Sequence, residues 1–247
     1  TAAPTTAAPE TGCPESVGGE PADAGPYAVG RTAVNYVDPS RRTEPPPASG
    51  RPATAGRALP VWVLYPAEGD PAGIYPAEGV ARPEAAISDG AAAAPGRFPV
   101  VVYSHGVSST GAERHAALAH WVRAGYVVVA PTFPLSSAGS SDITDLPNQP
   151  GDVAFVAETF RSEVQNPDHP LHGRVLTDCL ALAGHSLGGA TTLAAAFDPC
   201  CDELDPSAVI DIAGVAVNLT PGASFTEADP RPVLIVHGAQ DATVPLS

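Results

Sequence analysis

From Phe98 onward the chain alternates short apolar runs with stretches of helical period. The runs fall at 100–103, 126–129, 180–183, 215–217 and 233–236. They are apolar at consecutive positions rather than at every second one, which predicts strands covered on both faces, as in a parallel sheet. Between the first two, Thr110 and Glu113 have the spacing of a capping box, Leu118, Trp121 and Val122 share one helical face, and Gly125 is placed to end the helix. Val153, Val156, Ala157, Phe160 and Val164 mark a second helix, and Leu187, Ala190, Leu193, Ala194 and Phe197 a third. Upstream, 29–37 and 59–65 read as two earlier strands. The Pro- and Arg-rich stretch 39–57 and the Pro- and Gly-rich stretch 66–97 read as long loops. The sum predicts an α/β fold, a doubly wound and mostly parallel sheet with helices on both faces.

A length of 247 residues suits one such domain. Residues 1–26 are rich in Ala, Thr, Pro and Gly with almost no large apolar side chains, and read as a flexible leader ahead of a domain at 27–247. All 12 basic residues are Arg, against 27 acidic ones, for a formal charge of −15. That balance speaks against a nucleic-acid partner and reads as a solvated acidic surface. No apolar run has the length of a membrane span, so no stable insertion is expected. The start at Thr1 without Met is what a mature, secreted or cell-envelope protein of a bacterium presents, and a monomer is expected.

The cysteines fit an oxidising compartment. Cys179 lies at the start of the run leading to residue 183, whereas Cys200 and Cys201 follow the third helix. A strand climbing at roughly 3.3 Å per residue and a helix descending at roughly 1.5 Å bring both ends to the bottom of the sheet. A bridge from Cys179 to Cys200 or Cys201 is therefore expected.

The chemistry lies at Gly184-His185-Ser186-Leu187-Gly188, between an apolar strand and a helix. There a serine is carried on a sharp strand-to-helix turn with its hydroxyl exposed, a nucleophile elbow. Serine needs a histidine base, an acid that orients the base, and donors for a tetrahedral oxyanion. Asp241, in the segment following the run at 233–236, is the candidate acid, with Asp211 the weaker one. Oxyanion donors should be the amides of Leu187 and Val107, with Gly106 allowing close approach and His105 holding the loop rather than acting as base. No histidine follows Asp241, where the order serine, acid, histidine would put it, and a base role for His105 or His237 is the unusual alternative.

The segments FPVVVYSHG, GYVVVAPTFP, ALAGHSLGG and VLIVHGAQDATVP together resemble the α/β-hydrolase superfamily, especially its platelet-activating-factor-acetylhydrolase-like and polyester-hydrolase (cutinase and PET-hydrolase) branches. The resemblance implies a serine carboxylic ester hydrolase working through an acyl-enzyme without metal or cofactor, with Ser186 as nucleophile, Asp241 as acid, and Val107 and Leu187 as oxyanion amides. It also implies a histidine, a last strand and a last helix beyond Asp241, so that the chain reads as C-terminally truncated and inactive as it stands. Polyester hydrolases carry aromatic clamp residues where this sequence has Val107 and the segment 218–222. The expected cleft, walled by Val107, Leu187, Phe133 and Leu135 beside a mobile loop containing Ser136, Ser137, Ser140 and Ser141, suits apolar acyl esters, small or polymeric. Two rival readings are a serine peptidase on the same fold and a non-catalytic binding module that has lost its histidine.

Overall fold

The computed structural model describes residues 13, 27–71, 87–201, 204–222 and 230–245. The expected leader lies outside them apart from Cys13. Eight strands form one sheet: β1 (Ala28–Asp38), β2 (Arg57–Ala67), β3 (Ile87–Asp89), β4 (Phe98–Ser104), β5 (Val127–Pro131), β6 (Val175–His185), β7 (Ala208–Ile212) and β8 (Val233–Val236). Their order across the sheet is β3-β1-β2-β5-β4-β6-β7-β8. Only β2 runs against its neighbours, so the carboxyl ends of β4, β6, β7 and β8 share one edge.

Strand alternation explains why helices are needed on both faces. Val100 and Val102 of β4, Val127 and Val129 of β5, and Leu180 and Leu182 of β6 enter a core with α2 (Gln149–Glu163) and α3 (Leu187–Phe197). Their neighbours Val101, Tyr103, Val128, Ala130 and Ala183 enter a second core, with Leu118, Ala119 and Val122 of α1 (His115–Arg123). The doubly wound, mostly parallel sheet read from the sequence is the one observed.

Several local expectations are corrected. The strand after α3 is Ala208–Ile212, not 215–217, which is irregular. Asp211 interrupts the apolar run there, yet it is buried and accepts a hydrogen bond from the Gly214 amide, so a polar residue sits in a strand that periodicity alone rejects. The stretch 66–97 contains β3, a short strand parallel to β1. Thr110 does not cap α1: its Oγ1 accepts from Ala112 in a turn, and the helix starts at His115. Lastly, β8 is the edge strand, and Val233, Leu234, Ile235 and Val236 are 42, 56, 60 and 49% exposed instead of covered.

The disulfides also differ from expectation. Cys179 pairs with Cys13, and Cys200 with its neighbour Cys201. The physical reason is the same alternation. Leu180 enters the core shared with α2 and α3, and strand alternation turns the adjacent Cys179 away from it. Residues 177–179 also form a bulge against β4, whose Pro99 and Val100 pair with Leu176 and Leu180. Beyond α3, Asp198 draws the chain the other way, accepting from the amides of Cys200, Leu219 and Thr220.

Candidate active site

β6 rises through the middle of the sheet and turns into α3 at a single residue, Ser186. Its φ of 55° and ψ of −121° are costly for any side chain larger than glycine's, and such strain persists only where the surroundings enforce it. They do so here. The Ser186 amide donates to the Ile212 carbonyl of β7 at 2.9 Å, and its carbonyl accepts from Gly189 at 2.9 Å as the first acceptor of α3. Two glycines make the turn physically possible. A Cβ on Gly184 would lie 2.0 Å from the Gly188 carbonyl oxygen, and a Cβ on Gly188 would lie 2.1 Å from that of Ser104. The helix thus starts almost in contact with the end of β4, and Ser186 is left half-buried at the carboxyl edge.

The loop after β4 packs against this turn. His105 is fully buried; its Nδ1–H donates to the Gly106 carbonyl at 2.7 Å and its Nε2 accepts the Phe133 amide at 2.9 Å. Burial pushes its pKa down, so the ring is neutral with both nitrogens engaged, and it holds the loop as the sequence predicted. It has no lone pair left to serve as base. A Cβ on Gly106 would come within 3.3 Å of the Ser186 Cβ, so the loop lies directly against the elbow. Val107 follows, 37% exposed. Among the described residues the amides of Val107 and Leu187 donate to no protein acceptor, and Leu187 is the first residue of α3, where amides point outward at the positive end of the helix dipole.

Asp241 lies beyond β8 at the same edge. One carboxylate oxygen, Oδ1, accepts from the amides of Val244 at 2.9 Å and Thr243 at 2.8 Å, and these bonds lower its pKa. The other oxygen, Oδ2, stands 3.9 Å from His237 Nε2, which itself donates to the Val244 carbonyl at 2.6 Å. His237 therefore braces the acid loop. Asp211 instead lies beneath α3, where a Cβ on Gly189 would be 2.2 Å from its Oδ1, and burial pushes its carboxyl pKa up.

His185 is the histidine next to the nucleophile. Its ring meets the Arg114 guanidinium at 3.3 Å, and burial followed by that positive charge lowers its pKa. His115 and His120 belong to α1, while His169 and His172 cap turns in the loop before β6. Among the described residues no histidine hydrogen-bonds Ser186. The structure brings together Ser186, Leu187, Gly106 and Val107, sets Asp241 on their edge, and leaves the base unassigned.

The expected cleft is narrower in composition than predicted. Phe133 and Leu135 are buried, Phe133 in the core beneath α2, so neither is a wall. The serine-rich loop is pinned: the Ser136 carbonyl accepts from Ser108, the Ser109 carbonyl from Ala138, and the Leu135 carbonyl from Asp142. Sequence reading missed Arg114, Gln149 and Thr191, whose helical positions give no motif; the cue for Gln149 and Thr191 was a polar residue on the buried face of a helix.

A solved structure similar to this chain is a ferulic acid esterase from Streptomyces cinnamoneus, with a TM-score of 0.59 and 22% sequence identity over 87% of this chain. This chain spans 66% of that one, and the likeness identifies the sheet and helices as the α/β-hydrolase fold. No curated protein sequence matches. The sequence model of the chlorophyllase family matches residues 80–242, which include the loop after β4, the turn at Ser186 and Asp241. With that match running over more than half of its length, the chain belongs to the chlorophyllase family.

Proposed function

We propose that this protein is an exported serine carboxylic ester hydrolase acting through an acyl-enzyme. The observation that carries the reading is the strained Ser186 at the start of α3, with the Gly106 loop packed directly against it. Such a backbone conformation is expensive and has no packing purpose that a relaxed turn would not serve. In the proposed reaction a histidine takes the Ser186 hydroxyl proton as Oγ attacks the ester carbonyl carbon. The carbonyl electron pair becomes an oxyanion facing the amides of Val107 and Leu187. Collapse expels the alcohol, which takes the proton from the imidazolium, and water repeats the sequence on the acyl-enzyme. Asp241 stays ionised at working pH, with Oδ2 left to orient that histidine.

Neither His105 nor His237 is free to serve as that base. Each ring nitrogen of His105 is committed, His237 braces the acid loop, and the apolar β8 edge is uncovered among the described residues. Esters with an apolar acyl part are the expected substrates, and the hydroxycinnamate esters implied by the name of the similar esterase are a sensible second probe. Disulfides at Cys13–Cys179 and Cys200–Cys201 support export.

The test is hydrolysis of p-nitrophenyl butyrate by this chain and by the chain extended with its native downstream residues, each beside Ser186→Ala. Serine-dependent turnover only in the extended chain is the expected result. Turnover by the short chain would assign the base within it, and no turnover in either would refute the hydrolase reading.

A further inference from the structure

Between the two loops that face the oxyanion lies a buried side chain that the reaction itself does not touch. Gln149, the first residue of α2, is fully buried. Its Nε2 donates to Ser136 Oγ at 2.8 Å, and its Oε1 accepts from Thr191 Oγ1. Thr191 stands one turn into α3, its hydroxyl 3.0 Å from the carbonyl of Leu187. On the other side, the Ser136 carbonyl accepts the Ser108 amide at 2.7 Å, and Ser137 pairs with Ser109. A continuous path therefore runs from Leu187 through Thr191, Gln149 and Ser136 to Ser108, the neighbour of Val107.

We propose that Gln149 is a positioning residue that fixes the spacing of the Val107 and Leu187 amides. The inference rests on the ester-hydrolase reading above. The chemistry of the site selects this side chain. A primary amide hydrogen-bonds Ser136 and Thr191 at once without placing a charge in a fully buried site, whereas a carboxylate brings a charge and an aliphatic chain makes neither bond. Asparagine is a methylene too short to span the same gap. The amide is also held from behind. Asp152, on the next turn of α2, is bound by Arg57, which also holds Asp145 just before the helix, so the helix end that presents Gln149 cannot drift. A misplacement of about 1 Å at such a centre costs about a hundredfold in rate, whereas ground-state ester binding through the acyl chain is untouched.

The test uses Gln149→Leu and Gln149→Glu in the catalytically active form of the chain. Gln149→Leu should lower kcat by about ten- to a hundredfold with KM within about twofold, because the amides act on the transition state. Gln149→Glu should be impaired at pH 8 and recover relative to wild type towards pH 5, since an ionised carboxylate is costly in a fully buried site whereas the protonated carboxyl is neutral and both donates and accepts like the amide. Gln149→Leu, which fills the space but makes neither hydrogen bond, should show no such recovery. Hydrogen exchange supplies a readout independent of turnover: in Gln149→Leu, the amides of Ser108, Ala138 and Thr191 should exchange at least about tenfold faster while those of β1 and β2 do not. Unchanged kcat in both variants, or unchanged exchange in those segments, overturns the proposal. Absence of Ser186-dependent turnover in the wild type would instead sink the hydrolase reading, and the exchange measurement would still decide whether Gln149 holds the two loops.

Discussion

Replacing Arg57 by Met isolates the most heavily buried arginine among the described residues. Arg57 is 1% exposed and donates to Asp152 at 2.6 and 2.7 Å and to Asp145 at 2.6 Å. Met keeps much of the volume, so the expected loss comes from stranding two buried carboxylates. Arg41 still reaches Asp152 at 2.8 Å, and Asn148 still donates to Asp145 at 2.8 Å, which softens the loss without replacing the guanidinium. Removing one partner of a buried pair costs about 3–5 kcal/mol. With an unfolding entropy of about 2.1 cal/mol/K per residue, 247 residues give about 0.5 kcal/mol/K, so Tm should fall by about 6–10 °C. The pH dependence has a definite sign. Burial already pushes Asp152 above its ordinary 3.8, against the pull of Arg57, and without Arg57 it must rise further. A carboxyl whose folded pKa exceeds the unfolded value binds more protons when folded, so its cost is absent below about 3.8, grows as pH rises from there, and is complete above the folded pKa. The deficit of Arg57→Met should therefore shrink between pH 8 and pH 5, and Asp152→Asn in the same background should recover part of it. Calorimetry at both pH values decides: a Tm within about 2 °C of wild type at pH 8, or a deficit independent of pH, refutes the reasoning.

The remaining predictions concern the elbow, the disulfides and the buried histidine. Gly188→Ala places a Cβ 2.1 Å from the Ser104 oxygen, so turnover of p-nitrophenyl esters should fall at least about a hundredfold even where circular dichroism shows a folded protein. Cys13→Ser with Cys179→Ser opens a loop of sequence separation 166 and should cost up to about 5 kcal/mol on chain-entropy grounds, read as a lower denaturant midpoint. Cys200→Ser with Cys201→Ser closes no loop of consequence and should cost about 1 kcal/mol in the same titration. His105 has a folded pKa below its ordinary 6.5, so the stability it contributes is complete above 6.5 and is lost as pH falls; His105→Asn should flatten the stability profile below pH 6.5, measured by urea unfolding.

The parallel part of the fold was legible because its strands are apolar on both faces, and a strand sandwiched between helices has little choice but to be so. Val100, Val127 and Leu182 carry that signal on one face, Val101, Val128 and Ala183 on the other. Legibility failed where a side chain's partner is distant. Asp211 hid β7 because nothing local announces that Gly214 will satisfy its carboxylate, and β8 advertised burial that the edge position does not provide. The disulfide error was of another kind. The climb and descent of strand and helix were right in length, but they ignored which face Cys179 occupies, and Leu180 in the core under α3 was enough to settle that.

The elbow turn was readable because its geometry is imposed by neighbours in sequence: Gly184 and Gly188 bracket Ser186, and a Cβ on either would lie near 2 Å from a backbone oxygen. The loop packed against it was readable because Gly106 lies two residues beyond the end of a strand. The framework that holds these groups at a fixed separation was not, since Arg57, Gln149 and Thr191 come from β2, α2 and α3 and meet only after folding. This division has a physical origin. Strain at one residue is written locally, in the glycines that permit it, whereas the rigidity that sustains the strain must come from outside the turn, because a turn free to relax would do so. A loss at Gln149 or Arg57 should therefore reach Ser186 through its surroundings, leaving the elbow sequence intact and its conformation less well enforced.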